Sequence, residues 1–199
     1  EDLQAHGLSA KPNKDADIWR RICATLVEDF GGSAWNLLDE ADFDVPTALG
    51  TIRSSTHDFP YLGGRKIGSL WADLLAGVWG GAELTGLQEI PIYIDRDVVA
   101  ASVTGGALVG PFDGSYDTLK AATELVWTEA CEGTDLYPMQ FYTPLAELGS
   151  RGCQEVEDWP CPVRRDCPVM IFCTETRPRK GGEGMTFRAP KRVGTAISL

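Results

Sequence analysis

The chain has 199 residues, 43% of them hydrophobic, enough for one substantial core or two small ones, so its size alone demands neither disulfides nor metal. A net charge of −11 excludes indiscriminate attraction to nucleic acid, because an acidic surface repels phosphate at long range. No apolar run approaches the roughly 18 to 20 residues of a membrane span, and EDLQAHGLSAKPNKD lacks the apolar centre of a secretory signal, which predicts a soluble, cytoplasmic protein with no membrane partner.

Helical periodicity begins at 15–30, where Ile18, Trp19, Ile22, Cys23, Leu26, Val27 and Phe30 follow the i, i+3, i+4, i+7 spacing of a core-facing stripe. Asp15 and Asp17 suit its start and Gly31-Gly32 its stop. Residues 65–79 repeat the pattern through Ile67, Leu70, Trp71, Leu74, Leu75 and Val78, closed by Gly80-Gly81. Ile90–Ile94 reads as a short extended segment. Further helices are predicted over 96–104, over 116–131 through Leu119, Ala122, Leu125, Val126 and Ala130, and over about 138–149. Helices joined by Gly- and Pro-rich turns, without runs of alternating strands, give an all-α class. Cys23 and Cys131 fall on apolar helix faces and are expected to be ordinary buried residues.

The other four cysteines, Cys153, Cys161, Cys167 and Cys173, lie within 21 residues in the order C-x7-C-x5-C-x5-C. Structural zinc usually takes paired C-x2-4-C knuckles, and here there is no C-x-x-C and no nearby histidine, His6 and His57 being remote. Two disulfides are disfavoured inside the cell. A loop that wraps a [4Fe–4S] cluster with four thiolates tolerates wide spacing and is the leading expectation, with zinc as the alternative cofactor. Charge reverses within this loop. Residues 1–163 carry 10 Lys and Arg against 26 Asp and Glu, whereas 164–199 carry 8 against 3, so the balance passes from −16 to +5. The basic stretch, from Arg164 and Arg165 through Arg177, Arg179, Lys180, Arg188, Lys191 and Arg192, reads either as a solvated terminus or as a phosphate-binding surface.

The segment YTPLAELGSRGCQEVEDWPCPVRRDCPVMIFC resembles the C-terminal iron–sulfur segment of the endonuclease III class of helix-hairpin-helix DNA glycosylases (the HhH-GPD superfamily). Leu145, Leu148, Gly149 and Arg151 stand where that family has the helix and Gly-Arg approach to its first cysteine, and the final C-x5-C matches. The family spacing is C-x6-C-x2-C-x5-C, so the loop here has one extra residue in the first gap and three in the second. A second resemblance lies in IPIYIDRDVVAASVTGG. Asp95 falls on the family's catalytic aspartate, after a short extended segment and at a helix start, with Val98, Val99 and Val103 on the following face. A carboxylate there is favoured by helix N–H groups, and an ionised one can stabilise the positive charge that grows on a sugar as its base departs. Asp is also a preferred N-cap of any helix. Asp97 is the neighbouring candidate.

The DNA-gripping hairpin of the family is weakly represented. FPYLGGRKIGS supplies Gly63, Gly64 and Lys66 as candidate backbone-phosphate contacts, but Lys66 lies 29 residues before Asp95. An alternative alignment shortens the hairpin to GGAELTGLQEIP at 80–91 and removes Lys66 from any Schiff-base role, so no strand cleavage by lyase chemistry is expected. The resemblance implies a two-lobed helical fold that binds double-stranded DNA in its cleft, flips a damaged or modified base and hydrolyses its N-glycosidic bond on Asp95, with Arg151, Arg164 and Arg165 on phosphates. Trp19, Trp35, Trp79, Tyr61 and Tyr93 are candidate stacking residues that more often serve as core. The implied organisation is a helical lobe over 1–135, a cluster helix and loop over 136–175, and a basic tail over 176–199. The chain opens near where the second family helix would end, so one or more N-terminal helices are expected to come from another segment or chain. A non-catalytic iron–sulfur protein on the same scaffold, binding nucleic acid or sensing redox state, is the competing expectation.

Overall fold

The computed structural model describes residues 5–7, 9, 11–77, 83–110, 115–153, 161–178, 185 and 187–188. Trp79, Gly80, Gly81, Arg179, Lys180, Lys191 and Arg192 lie outside them. Helices dominate: α1 (Pro12–Asp29), α2 (Ala34–Glu40), α3 (Val45–Arg53), α4 (Arg65–Ala76), α5 (Arg96–Thr104), α6 (Tyr116–Cys131) and α7 (Tyr142–Leu148). Among the described residues the strands are the two-residue β1 (Arg177–Pro178) and β2 (Phe187–Arg188), paired antiparallel. The mostly helical class follows the periodicity, and the bounds of α5 and α6 coincide with the expected 96–104 and 116–131.

The chain divides into two compact units, Glu1–Pro91 and Ile92–Leu199. This boundary puts residues 92–135 in one unit with the cysteine segment, whereas the sequence reading grouped them with the N-terminal lobe.

In the first unit, α1 starts on Pro12, whose ring suits the first turn of a helix. It stops at Gly31 and Gly32, both at positive φ, where the Gly32 N–H returns to the Leu26 carbonyl at 2.8 Å. Ser33 and Asp44 then cap α2 and α3 through Trp35 and Thr47 N–H groups at 3.1 and 2.9 Å. Both short helices escaped the periodicity reading because they span only two turns each. Their apolar faces nevertheless make the core, where Leu37, Leu38, Val45, Leu49 and Ile52 pack with Phe30 and Phe59. The expected stripe of α1 is only half used. Ile22 and Leu26 pack on this core, while Trp19 and Val27 are 64% and 65% exposed and Cys23 is exposed as well. Cys23 is therefore not a buried residue: it lies on the outer side of the stripe, between Trp19 and Val27 at helical spacing. Trp35 and Tyr61 are also exposed, against the expectation of core. In α4 the buried positions are Gly68, Ser69 and Ala72, so the small face, and not Ile67 or Leu74, turns inward.

The second unit is organised around α5, in which every residue from Val98 to Thr104 is buried. A helix apolar on all sides needs neighbours on all sides. α6 supplies the Trp127 indole, which donates to Ser102 Oγ at 2.8 Å and stacks on Phe141 at 4.7 Å. The expected helix over 138–149 is a 3-10 turn, Pro138–Phe141, running into α7, which ends in a π-turn at Gly149–Cys153. Gly149 lies so close to α5 that a Cβ there would sit 2.2 Å from the Asp97 carbonyl oxygen. Only glycine admits this approach. Ile92 and Ile94 are buried with Tyr93 between them half-buried, the alternation of an extended segment, but the stretch forms no strand pair among the described residues.

Candidate functional site

The extended run before α5 ends at Asp95, whose backbone stays in the β region while the chain turns into the helix. One carboxylate oxygen, Oδ1, accepts the backbone N–H groups of Asp97 and Val98, both at 3.1 Å. The other, Oδ2, accepts the hydroxyl of Tyr142 at 3.1 Å. Tyr142 is buried at the first position of α7, and the Tyr93 ring meets it edge-on at 5.7 Å. Tyr116, at the start of α6, is the third phenol near the carboxylate. Burial first, and then the negative charge of Asp95, push its pKa up to about 12, so it stays neutral at physiological pH. The Arg96 guanidinium lies 5.0 Å above the Tyr116 ring. Asp95 is thus a half-buried carboxylate fixed by donors on both oxygens and set among three tyrosines.

All four clustered cysteines line one cavity of about 80 Å³ in this same unit. The π-turn after α7 delivers Cys153, which is 4% exposed, and Cys161, Cys167 and Cys173 are half-buried. Leu148, Val163, Val169 and Met170 give the cavity apolar walls, and Thr104 and Gly105 close it at the end of α5. A Cβ at Gly152 would lie 2.5 Å from the Val163 side chain, so a bare backbone is needed where the chain passes the wall. The Cys161 thiol points to the Gly152 carbonyl at 3.6 Å. No disulfide joins any of the six cysteines, all of which are described residues. The four thiols surround the cavity without converging on a point: among the described residues no three His, Cys, Asp or Glu side chains form a group that could hold one metal ion. No histidine lines the cavity, and His57 is instead paired with Asp29 at 2.7 Å in the first unit. The cavity's soft donors are the four thiols, and its lining also carries the Glu175 carboxylate and the Arg164 guanidinium.

The proposed phosphate contacts divide between the units. Arg151 is exposed, 3.7 Å from Glu147 one turn back, and Arg165 is exposed on the cysteine loop. Arg164 is engaged by Glu175 at 2.9 Å. Gly63, Gly64 and Lys66 lie in the first unit, where residues 54–64 join α3 to α4. The Arg53 Nε donates to the Gly63 carbonyl at 3.0 Å, and Gly64 is the N-cap of α4 without a side-chain cap, leaving the first N–H groups of that helix to other partners. Beside them runs an open groove of about 330 Å³ edged by Ser54, His57, Asp58 and Tyr61.

Sequence reasoning missed Tyr142 and Tyr116 as neighbours of Asp95. The only signal for Tyr142 was its place at the head of the helix leading to Cys153; its distance of 47 residues from Asp95 hides the contact. That short helix joins the two features, with Tyr142 on the carboxylate at one end and Leu148 on the cysteine cavity at the other. Comparison with family models, with curated proteins and with solved structures gives no match to this chain.

Proposed function

We propose that the chain is a monofunctional DNA glycosylase of the helix-hairpin-helix kind, in which Asp95 serves hydrolysis of the N-glycosidic bond of a damaged or modified base. One observation carries this reading: the half-buried carboxylate and the cavity lined by four cysteines are built on the same pair of packed helices, α5 and α7. Cys153, Cys161, Cys167 and Cys173 would hold a [4Fe–4S] cluster, which would supply a rigid, charged anchor for the loop bearing Arg164 and Arg165.

In the reaction, the C1′–N bond breaks with its electron pair leaving on the base, and positive charge grows on the sugar. Asp95, held by the Asp97 and Val98 N–H groups and by Tyr142, faces that charge with an oriented carboxylate and stabilises it. Water then adds to C1′, and the proton it loses ends on the departed base anion, so the products are the neutral free base and an abasic sugar. Arg151 and Arg165 act on backbone phosphates; Gly63, Gly64 and Lys66 are phosphate contacts proposed for the first unit by itself. Lys66 forms no Schiff base, so the product is an abasic site in an intact strand.

Two measurements test the reading. The purified protein is expected to be yellow-brown and to contain iron; colourless protein carrying zinc would overturn the cluster. Duplex DNA bearing modified bases is then assayed for free base with wild type and Asp95→Asn. Release by the wild type and a loss of at least about a hundredfold in the variant are expected. The competing reading, a non-catalytic nucleic-acid-binding or redox-sensing module, draws on the donors that already occupy both oxygens of Asp95 as helix cap and Tyr142 acceptor. Salt-dependent DNA binding without release of any base, unchanged in Asp95→Asn, would establish it.

A further inference from the structure

The cysteine cavity is walled by thiols, apolar side chains, glycines and a threonine, with two exceptions: Arg164 and Glu175. Arg164 comes from the limb between Cys161 and Cys167, and Glu175 follows Cys173 by two residues, so the two charges sit on opposite limbs of the loop. They meet at 2.9 Å, with side chains 54% and 34% exposed, which puts the pair at the solvent edge of the cavity. We propose that this ion pair is a strap that closes the mouth of the cysteine cavity and limits access to the thiols and to whatever group they hold.

The chain on either side of Glu175 is built to hold that position. The Thr174 N–H donates to the Thr104 carbonyl at 2.8 Å, and its hydroxyl reaches the Val103 and Thr104 carbonyls at 3.2 and 3.1 Å. The Thr104 hydroxyl donates to the Thr176 carbonyl at 2.7 Å. The Thr174 bonds reach carbonyls at the end of α5, and together with the Thr104–Thr176 bond they anchor residues 174 and 176 to the helix. Between the anchors Glu175 takes φ of 60°, a left-handed conformation rarely adopted outside glycine and asparagine, and this carries its carboxylate to Arg164. On the other limb, the Arg164 N–H closes a turn on the Cys161 carbonyl at 3.2 Å, which ties the arginine to a cavity cysteine. The strap does not depend on the glycosylase reading, since it concerns access to the thiols alone.

The test is a double-mutant cycle read by thiol chemistry. In a Cys23→Ser background, which removes the exposed thiol of α1, the rate of maleimide modification is measured for apoprotein carrying Arg164→Gln, Glu175→Gln, both, or the swap Arg164→Glu with Glu175→Arg. Each single variant is expected to react about two- to fivefold faster, the range that a partly exposed ion pair supports. The double variant is expected to react no faster than the faster single, and the swap to return toward wild type. Raising salt should speed the wild type and leave the uncharged variants unchanged, a measurement that requires no variant to refold. Protein isolated with iron should lose it to a chelator in the same order. Singles at the wild-type rate, or a double equal to the product of the singles, would overturn the strap. Absence of iron would overturn the cluster reading and leave the thiol rates to decide the strap.

Discussion

Helix α1 of the first unit and helix α5 of the second treat their apolar faces in opposite ways. In Glu1–Pro91, α1 carries two apolar lines and buries one, leaving Trp19, Cys23 and Val27 in solvent, while α4 turns a face of Gly68, Ser69 and Ala72 inward. In Ile92–Leu199, α5 is enclosed on every side, and Gly149 lets the turn after α7 approach it at backbone distance. Periodicity therefore measures which residues could be buried, and close backbone contact decides which are. The proposed chemistry lies at the two ends of the enclosed helix α5, where a carboxylate and a thiol cavity need fixed walls.

The largest expected effect is at the closest contact. Gly149→Val should destabilise the second unit by about 3 kcal/mol or more, because the added side chain meets the Asp97 backbone, which cannot rotate away. Gly50→Ala in α3, where a Cβ would meet nothing within 4 Å, is expected to be neutral or stabilising by up to about 1 kcal/mol. Calorimetry of both variants checks the contrast, and equal effects would break it. Next in size, Leu38→Ala should cost about 2–5 kcal/mol. Val27→Ser, one of the exposed line, should stay within about 0.5 kcal/mol in denaturant titrations. A comparable loss for Val27→Ser would mean that this face is covered in solution.

At Asp95 the cap and the charge can be separated. Asp95→Ala should cost about 0.5–2 kcal/mol through the lost cap, whereas Asp95→Asn keeps a capping oxygen and should melt close to wild type. An Asn variant that melts well below wild type would show that the charge itself holds the site together. The smallest effect is a pH dependence at Tyr116. Its folded pKa, about 12, lies above the usual phenol value of 10.0, so the folded state keeps a proton that the unfolded state loses first. The associated stability is fully present below pH about 10 and is lost as pH rises toward 12. Spectrophotometric titration should show a late component that Tyr116→Phe removes and Asp95→Asn moves down, since Asp95 is the second cause of the shift.

Much of the site was legible as separate pieces. Asp95 declared itself by standing at the start of an apolar helix after an extended segment, because an N-cap is a local device written in neighbouring residues. The cysteines declared themselves by density. Arg164 was legible as a charge but not as the partner of Glu175, because opposite limbs of a loop are joined by its path and not by its spacing. Tyr142 carried no sign of its bond to Asp95 for the same reason.

By itself, the sequence determined the helical class, the bounds of α5 and α6, the capping carboxylate and the cysteine set, all of them consequences of periodicity, local hydrogen bonding or composition. Only the tertiary structure decided that half of the α1 stripe stays in water, that Cys23 is exposed while Cys131 is buried, that four cysteines line one cavity and that one short helix touches both that cavity and Asp95. The physical reason is that burial and convergence depend on how closely backbones approach, and that distance is set by side chains such as Gly149 and its neighbours on another element.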